Sequence, residues 1–327
     1  MTFNLSVIIC THNPRLDYLQ RVLEALKAQT LPKEQWELLV IDNASATPLE
    51  GSWDLSWHPC ARHIQEDELG LTSARLRGIR ESNGELIVFI DDDNVVSGEY
   101  LRTAWTIAQA FRQLGTFGAG QIVGEFAVEP APLLKPYVKM VGLKSQFQDT
   151  WSNSLTDGLD PIGAGLCVRQ NVARAYFERT LRSPLLKSLD RCGKHNLCHG
   201  DTDIVWLGCE MGYGKGVFRD LTVIHLIPAS RIELDYLLDL FEAHAFSTLL
   251  LRSAYQLSAM DSRTFGIARR LFGWTRYWRK SRFERQFLWA QHRGRMRAKE
   301  FLRDAGQDSD ATSFTGVSDR LIPIPPV

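Results

Sequence analysis

The segment Glu85–Asn94 constrains the fold most, because five consecutive apolar residues run directly into three carboxylates, Asp91, Asp92 and Asp93. The apolar run is short and partly β-branched, and the turn-forming pair Asn83-Gly84 precedes it. This pattern predicts a strand that is buried on both faces of a sheet. Oxygen-rich ligation of this kind suits Mg²⁺ or Mn²⁺, whereas the alternative is a solvated acidic turn.

Two similar strands precede this one, and helical spacing of apolar residues separates them. Strands are predicted at Leu5–Cys10 and Glu37–Ile41, with helices near residues 14–28 and 72–81. Such β-α-β alternation is typical of a parallel sheet with helices on its faces, so the predicted fold class is α/β. The polar strand ends Thr11–Asn13, Asp42–Ser45 and Asp91–Asn94 should then open on one edge, where α/β sheets bind ligands.

The rest of the chain predicts a larger sheet followed by helices. A helix is expected at 98–113, a Gly-rich β-like stretch at 117–128 and irregular chain at 129–161. A Gly turn at Gly163-Ala164-Gly165 leads into a strand, and helices follow near 171–179 and 204–211. The segments 216–219 and 221–225 are predicted as a final strand pair, and residues 230–303 as helical.

Composition excludes several classes of protein. The 38 basic and 38 acidic residues cancel, so general binding of polyanions, including nucleic acid, is not expected. Both the Gly-x-Gly-x-x-Gly fingerprint and the P-loop motif are absent from the sequence. The start of the sequence has no basic and apolar leader, and the six cysteines are scattered, which together predict a cytoplasmic protein.

The ordered motifs resemble glycosyltransferase family 2, the inverting sugar-nucleotide transferases of GT-A fold. The resemblance covers about the first 228 residues and departs from the family at Leu76, Gly200 and Leu207, where Asn, Glu and Arg are usual. The segments that carry it are Ser6–Asn13, Val40–Ser45, Gly70–Gly78, Asp91–Asp93, Gly163–Gly165, Gly200–Asp203 and His225.

The resemblance implies roles for the residues on the donor side. It makes Asp93 a ligand of Mn²⁺ or Mg²⁺, with His225 as an additional ligand. Asp91 would contact the ribose or the metal, with Asp92 in support. Donor binding would also involve Thr11, Asn13, Asp42, which would read a uracil-type base, and Arg75, which would face the pyrophosphate. The structural alternatives are a core histidine for His225, a surface arginine for Arg75 and an Asx turn for Asp42.

On the acceptor side, a single displacement requires one general base to remove the proton of the attacking hydroxyl. Asp201 is the predicted base, and Asp203 lies close enough in sequence to be confused with it. The alternative role for Asp201 is a helix N-cap. Gly163, Ala164 and Gly165 would form the acceptor loop, and Trp151 or Trp206 would stack against a sugar unless they belong to the core.

The segment 263–303 carries thirteen Lys or Arg residues against Glu284 and Glu300, with aromatic residues interleaved. A basic helix with an aromatic face can lie at an anionic membrane surface, as would suit a lipid-linked acceptor. The alternative is that the aromatic residues pack on the protein. Peripheral contact with the inner face of the membrane is therefore one of two predictions for this segment.

Together with the sequence, the resemblance implies a metal-dependent, inverting glycosyltransferase that moves a sugar, preferably from a UDP donor, to a glycan or lipid-linked acceptor in cell-surface polysaccharide synthesis. Two alternatives are a sugar-nucleotide nucleotidyltransferase and a non-catalytic membrane- or glycan-binding protein. The predicted divisions are a catalytic domain at 1–228, a helical basic region at 229–303 and a loop or disordered tail at 304–327.

Overall fold

The structure, a computed structural model, describes residues 3–187, 189–191, 197–257 and 280–307, without the side chains of 305–307. Two compact units divide the chain. The first contains residues up to Ser183 together with Gly200–Ile232, and the second contains Pro184–His199 and the residues from Glu233 onward. The predicted divisions after residues 228 and 303 stay predictions.

The first unit is built on one sheet that, within the described residues, has ten strands. Its main order is β3-β2-β1-β4-β9-β6-β10-β5, while β7 pairs with β6 and β8 with β10. The strands are β1 (Phe3–Thr11), β2 (Trp36–Asn43), β3 (Ala61–Glu66), β4 (Gly84–Asp91), β5 (Asn94–Val96), β6 (Leu114–Phe126), β7 (Lys144–Ser145), β8 (Thr150–Ser152), β9 (Leu166–Arg169) and β10 (Gly214–Ile227).

Helices cover both faces of this sheet. In the first unit they are α1 (Leu16–Lys27), α2 (Leu71–Glu81), α3 (Tyr100–Ala110), α4 (Gln170–Leu181) and α6 (Gly200–Glu210), with short 3-10 helices at Lys33–Gln35, Val138–Val141 and Ala229–Ile232. Leu19, Val22 and Leu26 of α1 belong to the same core cluster as Val7 and Ile9 of β1. On the opposite face Ile8 lies against Gly78 of α2, where a Cβ would clash. Burial on both faces explains the continuous apolar runs of the central strands.

The register of the parallel strands places their carboxyl ends at one level. Thr11 of β1 is paired with Asp42 of β2, and Cys10 is paired with Asp91 of β4. Close to the end of β4, antiparallel pairing of β5 with β10 sets His225 opposite Asn94. Residues from four strands therefore meet at the edge that the sequence predicts.

The predicted α/β class and the main early elements are confirmed, and three details need correction. The strand pair predicted at 216–225 is one strand, β10, with an irregularity between Phe218 and Thr222. The intervening Arg219 and Asp220 are exposed, which breaks the apolar pattern and imitates a turn. The short strands β3, β5, β7 and β8 were not predicted, and the last two lie in the stretch 129–161 that was predicted as irregular. Helix α6 begins at Gly200, earlier than the apolar spacing indicated.

The second unit contains α5 (Pro184–Lys187), α7 (Leu234–Ala254) and α8 (Arg282–Gln307). Helices α7 and α8 pack closely, because a Cβ at Gly294 of α8 would collide with the Glu242 carbonyl oxygen of α7. Arg293 and Arg297 form ion pairs with the Glu242 carboxylate at 2.7 and 2.8 Å. Among the described helices, none combines the length and the apolar character that a bilayer crossing requires.

Candidate active site

The carboxylate edge, formed by Asp91, Asp92, Asp93 and His225, lies where β4 ends and β10 passes β5. Asp93 and His225 are each 6% exposed. The Asp93 Oδ2 lies 3.5 Å from His225 Nε2, and Asp93 Oδ1 accepts a hydrogen bond from Asn94 Nδ2 at 2.7 Å. The fold therefore brings together the two residues that the resemblance implies as metal ligands.

A third residue, Arg231, joins this pair and was not predicted. Its Nη1 donates to Asp93 Oδ2 at 2.8 Å and lies 3.4 Å from His225 Nε2. Arg231 belongs to the 3-10 helix that follows β10, in a stretch that the sequence predicts only as helical. No motif marks it, since 138 positions separate it from Asp93.

Asp92 shows that negative charge is concentrated at this edge. Its Oδ2 accepts a hydrogen bond from Thr11 Oγ1 at 2.5 Å. Burial of the carboxyl group and the negative charge of Asp93 nevertheless raise the pKa of Asp92 to about 7, with a further contribution from Asp91. Adjacent carboxylates in a buried setting favour the approach of a cation.

The donor set fits a divalent ion that is shared with a substrate. Within the described ranges, no group of three or more His, Cys, Asp or Glu side chains is arranged to hold a metal. Mg²⁺ at phosphate sites commonly uses one or two protein ligands, with waters and phosphate oxygens completing the shell. Asp93 and His225 supply two such ligands, and His225 Nδ1 has no hydrogen-bond partner among the described residues. The pair therefore fits a metal site that a diphosphate completes.

The predicted base lies at the start of α6 and is held by the predicted acceptor loop. Asp201 Oδ2 accepts the Gly163 N–H at 2.7 Å, and Oδ1 accepts the Thr202 N–H at 2.8 Å. Arg75 is also close, because a Cβ on Gly163 would lie 3.1 Å from Asp201 Oδ2 and 3.2 Å from Arg75 Nη2. Arg75 is 5% exposed and is therefore not a surface arginine.

Gly142 and Ile162 connect the base to the carboxylate edge. A Cβ on Gly142 would lie 3.8 Å from His225 Nδ1 and 4.0 Å from Ile162 Cγ2. Ile162 directly precedes Gly163, the residue bonded to Asp201. The metal pair and the base thus lie on neighbouring parts of the first unit.

Most of the remaining acceptor-side predictions lie in enclosed positions, and the exposed Trp151 is the exception. Asp203 is fully buried and forms an ion pair with Arg179 Nη2. Trp206 is 6% exposed, whereas Trp151 is 56% exposed. Ala164 is buried, and Gly165 has φ +77°, with its carbonyl oxygen accepting the Tyr100 hydroxyl at 2.6 Å. Glycine is required at position 165, because a side chain there would be strained and would strike Tyr100.

An ionic cluster around the buried Lys215 packs against the acceptor loop, a name used here for residues 157–165, and includes two carboxylates of that loop. Lys215 is fully buried and contacts Asp160 Oδ1 at 2.6 Å and Asp157 Oδ1 at 3.0 Å. Trp206 Nε1 donates to the same Asp160 oxygen at 3.1 Å, and Lys144 Nζ donates to the Asp160 carbonyl at 2.7 Å. Sequence reasoning missed this cluster, although a lysine between two glycines inside a strand is a usable signal.

The residues that were predicted to bind the nucleotide base of the donor, Asp42 and Asn13, form hydrogen bonds that order two loops. The Asp42 carboxylate accepts the N–H groups of Ser45 and Leu49 at 3.2 and 3.0 Å and is 2% exposed. Asn13, at φ +48°, accepts the Ala46 N–H at 2.9 Å through Oδ1. Asp42 therefore shapes the loop as an Asx turn does, while each of its oxygens keeps a second lone pair for a ligand.

Comparison with known proteins supports the predicted family and fold. Residues 6–138 match the family described as Glycosyl transferase family 2. Glycosyltransferase AglE of Haloferax volcanii is 32% identical over 92 residues, which are 27% of this chain and 30% of that protein. The match thus spans less than a third of that relative's length.

Two solved structures of similar shape complete the comparison. S. aureus TarS 1–349 in complex with UDP-GlcNAc has a TM-score of 0.51 at 15% identity, with 96% of this chain and 93% of that chain covered. Mannosyltransferase PcManGT from Pyrobaculum calidifontis, in complex with GDP-Man and Mn²⁺, has a TM-score of 0.51 at 17% identity, with 90% and 88% covered. The match to a longer TarS structure spans 45% of that chain's length. The predicted GT-A fold is confirmed, and the prediction of a glycosyltransferase enzyme is supported.

Proposed function

Because residues 6–138 match glycosyl transferase family 2, we propose that this chain is a metal-dependent, inverting glycosyltransferase that uses a nucleoside-diphosphate sugar. The observation that carries the proposal is the geometry of two neighbouring groups. Asp93 faces His225 at 3.5 Å, and Asp201 is held at 2.7 Å by the Gly163 amide in the adjoining loop. Asp93 and His225 suit a cation bound to a diphosphate, and Asp201 suits a general base.

On the donor side, Asp93 and His225 would hold the metal, with Asp91 beside the ribose and Asp92 in support. A bound Mn²⁺ or Mg²⁺ supplies Lewis-acid stabilisation of the negative charge that develops on the leaving diphosphate. Asp42 and Asn13 shape the loops that would receive the base, and Thr11 anchors Asp92. The TarS and PcManGT complexes contain UDP-GlcNAc and GDP-Man, so both UDP and GDP sugars are candidate donors.

On the acceptor side, Asp201 would accept the proton of the attacking hydroxyl. The Gly163 and Thr202 amides orient its carboxylate through hydrogen bonds of 2.7 and 2.8 Å. Asp203 is a weaker candidate, since it is fully buried and paired with Arg179. Arg75, whose Nη2 lies next to Gly163, would face the pyrophosphate of the donor. A single displacement would invert the anomeric configuration.

Three variants test these assignments, with donor panels of UDP- and GDP-sugars. Asp201→Asn should retain Mn²⁺-dependent donor binding by calorimetry but lower kcat at least about 100-fold, the scale of general-base catalysis. Asp93→Asn should lose Mn²⁺-dependent donor binding itself. The matched control is Asp67→Asn, an exposed carboxylate that should behave as wild type.

The results also discriminate between the alternatives. Undiminished turnover in Asp201→Asn would move the base elsewhere, and undiminished donor binding in Asp93→Asn would exclude the metal assignment. NMR of the product anomer reports inversion. Pyrophosphate-dependent formation of nucleoside triphosphate from a nucleotide sugar would instead identify a nucleotidyltransferase.

A lipid-linked acceptor is supported by the surface of α8. The helix carries seven Lys or Arg residues against three Asp or Glu residues. Trp289 and Met296, two turns apart, are 52% and 51% exposed, and Leu288 is 41% exposed. Apolar side chains surrounded by arginines suit an anionic bilayer surface. Residues 263–279, the first part of the predicted contact segment, lie outside the described residues.

Vesicle co-sedimentation tests this membrane contact. Replacing both Trp289 and Met296 by Ser should lower binding to vesicles that contain anionic lipid. Neither wild type nor the double variant should bind neutral vesicles. Leu133→Ser is the matched control, because Leu133 is 67% exposed in the first unit. Equal binding of the double variant and wild type would rule out α8 as the contact surface.

A further inference from the structure

Arg231 occupies the carboxylate oxygen that a metal would need. Asp93 Oδ2 accepts a hydrogen bond from Arg231 Nη1 at 2.8 Å and lies 3.5 Å from His225 Nε2. The other Asp93 oxygen is engaged by Asn94 at 2.7 Å. Oδ2 is therefore the oxygen that faces both the guanidinium and the histidine.

The same guanidinium also faces the second proposed ligand. Arg231 Nη1 is 3.4 Å from His225 Nε2. Arg231 Nη1 thus lies near both proposed ligand atoms, Asp93 Oδ2 and His225 Nε2.

Asp93 and Arg231 differ in how they are held and in how far they reach solvent. Asp93 is held through its main chain as well, because its carbonyl oxygen accepts the Leu226 N–H at 2.8 Å. Arg231 extends from the 3-10 helix Ala229–Ile232, and its side chain is 25% exposed. An arginine that leaves the carboxylate needs another anion, and its planar fork matches phosphate oxygens well.

We propose that Arg231 is an internal substitute for the metal ion, released from Asp93 when a diphosphate arrives with the cation. The inference rests on the proposed function and adds how that site is regulated. A guanidinium and a divalent ion repel each other at one oxygen, so the metal alone binds weakly. The donor diphosphate would accept hydrogen bonds from Arg231 and would share the cation with Asp93 and His225, so that metal and nucleotide binding would favour each other.

Mn²⁺ binding, followed by electron paramagnetic resonance of the free ion, tests this proposal without any turnover. In the absence of nucleotide, Arg231→Gln should bind Mn²⁺ about tenfold more tightly than wild type, the scale of one charged hydrogen bond. UDP or GDP should tighten Mn²⁺ binding in wild type by more than in the variant. Arg231→Lys, which keeps the charge, should stay close to wild type without nucleotide.

The control is Arg219→Gln, because Arg219 is 59% exposed and lies 3.7 Å from Asp220. It should leave Mn²⁺ binding unchanged. If wild type binds Mn²⁺ with nucleotide but Arg231→Gln gains no affinity for Mn²⁺ alone, the inference is overturned and the proposed function stands. If wild type binds no Mn²⁺ with either nucleotide, the proposed metal dependence fails first and the inference fails with it.

Discussion

The carboxylate edge and the ionic cluster around Lys215 use the same kinds of side chain in opposite ways. At the edge, three consecutive carboxylates crowd together, and the pKa of Asp92 is raised to about 7 by burial and by its neighbours. In the cluster, Lys215 sits between Asp160 and Asp157 at 2.6 and 3.0 Å. Burial alone would lower the pKa of Lys215, but these two carboxylates outweigh the burial and raise it.

The difference indicates that the carboxylate edge suits cation binding, whereas the ionic cluster holds a loop in position. A site with surplus negative charge attracts a cation. A cluster whose charges are already paired does not, and its ion pairs instead hold the chain in place. Asp160 lies three residues before Gly163, whose amide orients Asp201. The paired cluster therefore stabilises the loop on which the proposed base depends.

Breaking the cluster should have the largest effect on stability. Lys215→Met removes the shared cation and leaves two partly buried carboxylates without it, so the free energy of unfolding should fall by about 3 kcal/mol. Urea unfolding measures this change. Lys139→Met, at an exposed lysine, is the matched control and should stay within about 0.5 kcal/mol of wild type. A Lys215 variant as stable as the control would mean that the cluster does not hold the loop.

A smaller change can disturb the base without disturbing the fold. Gly163→Ala places a methyl group 3.1 Å from Asp201 Oδ2, closer than side chains usually approach, and 3.2 Å from Arg75 Nη2. The base should shift by a few tenths of an ångström, and kcat should fall roughly tenfold with little change in donor affinity. In Gly98→Ala the new group would meet only Ala28 O at 3.7 Å, so kcat should not change. Equal kcat values for the two variants would remove Gly163 from the acceptor side.

The buried His58 should make the stability of the fold depend on pH. His58 lies in the loop after Asp42, is 3% exposed and packs 4.1 Å from the Trp36 ring. Burial, with the charge of Lys33, lowers the pKa of His58 to about 4. The unfolded chain therefore binds a proton that the folded chain does not, and stability should decrease as pH falls from about 6.5 towards 4.

Unfolding free energies measured between pH 4.5 and 7.5 check this prediction. His58→Gln should flatten the dependence on pH, whereas His292→Gln, at an exposed histidine, should leave it unchanged. An unchanged slope in His58→Gln would assign the acid sensitivity to groups other than His58. Asp92 would not be one of them, because a carboxyl group whose pKa is raised to about 7 in the folded chain stabilises the fold as pH falls.

Much of the fold followed from local patterns. The runs that end at Thr11, Asp42 and Asp91 predict parallel strands, because apolar runs between helical segments are typical of sheets covered on both faces. The single strand β10 was predicted as two, since Arg219 and Asp220 interrupt its pattern. Short strands such as β5 carry too few residues for any periodicity to be detected.

The candidate site divides in the same way. Motif order pointed to Asp93, Asp201 and His225, and the fold placed them in neighbouring positions. The partners of these residues were beyond prediction. Arg231 reaches Asp93 across 138 positions, and Lys215 reaches Asp160 across 55. Neither pair has a spacing that a helix or a strand would impose.

The sequence by itself determined the sheet, the acidic edge and the choice of candidate carboxylates, because periodicity and strand-end position are local properties of the chain. Only the tertiary structure decided which of two neighbouring acids is held by an amide and which is buried in an ion pair. Asp201 accepts the Gly163 N–H, while Asp203 faces Arg179. Burial and charge pairing depend on segments distant in sequence, so the same residue type acquires different chemistry two positions apart.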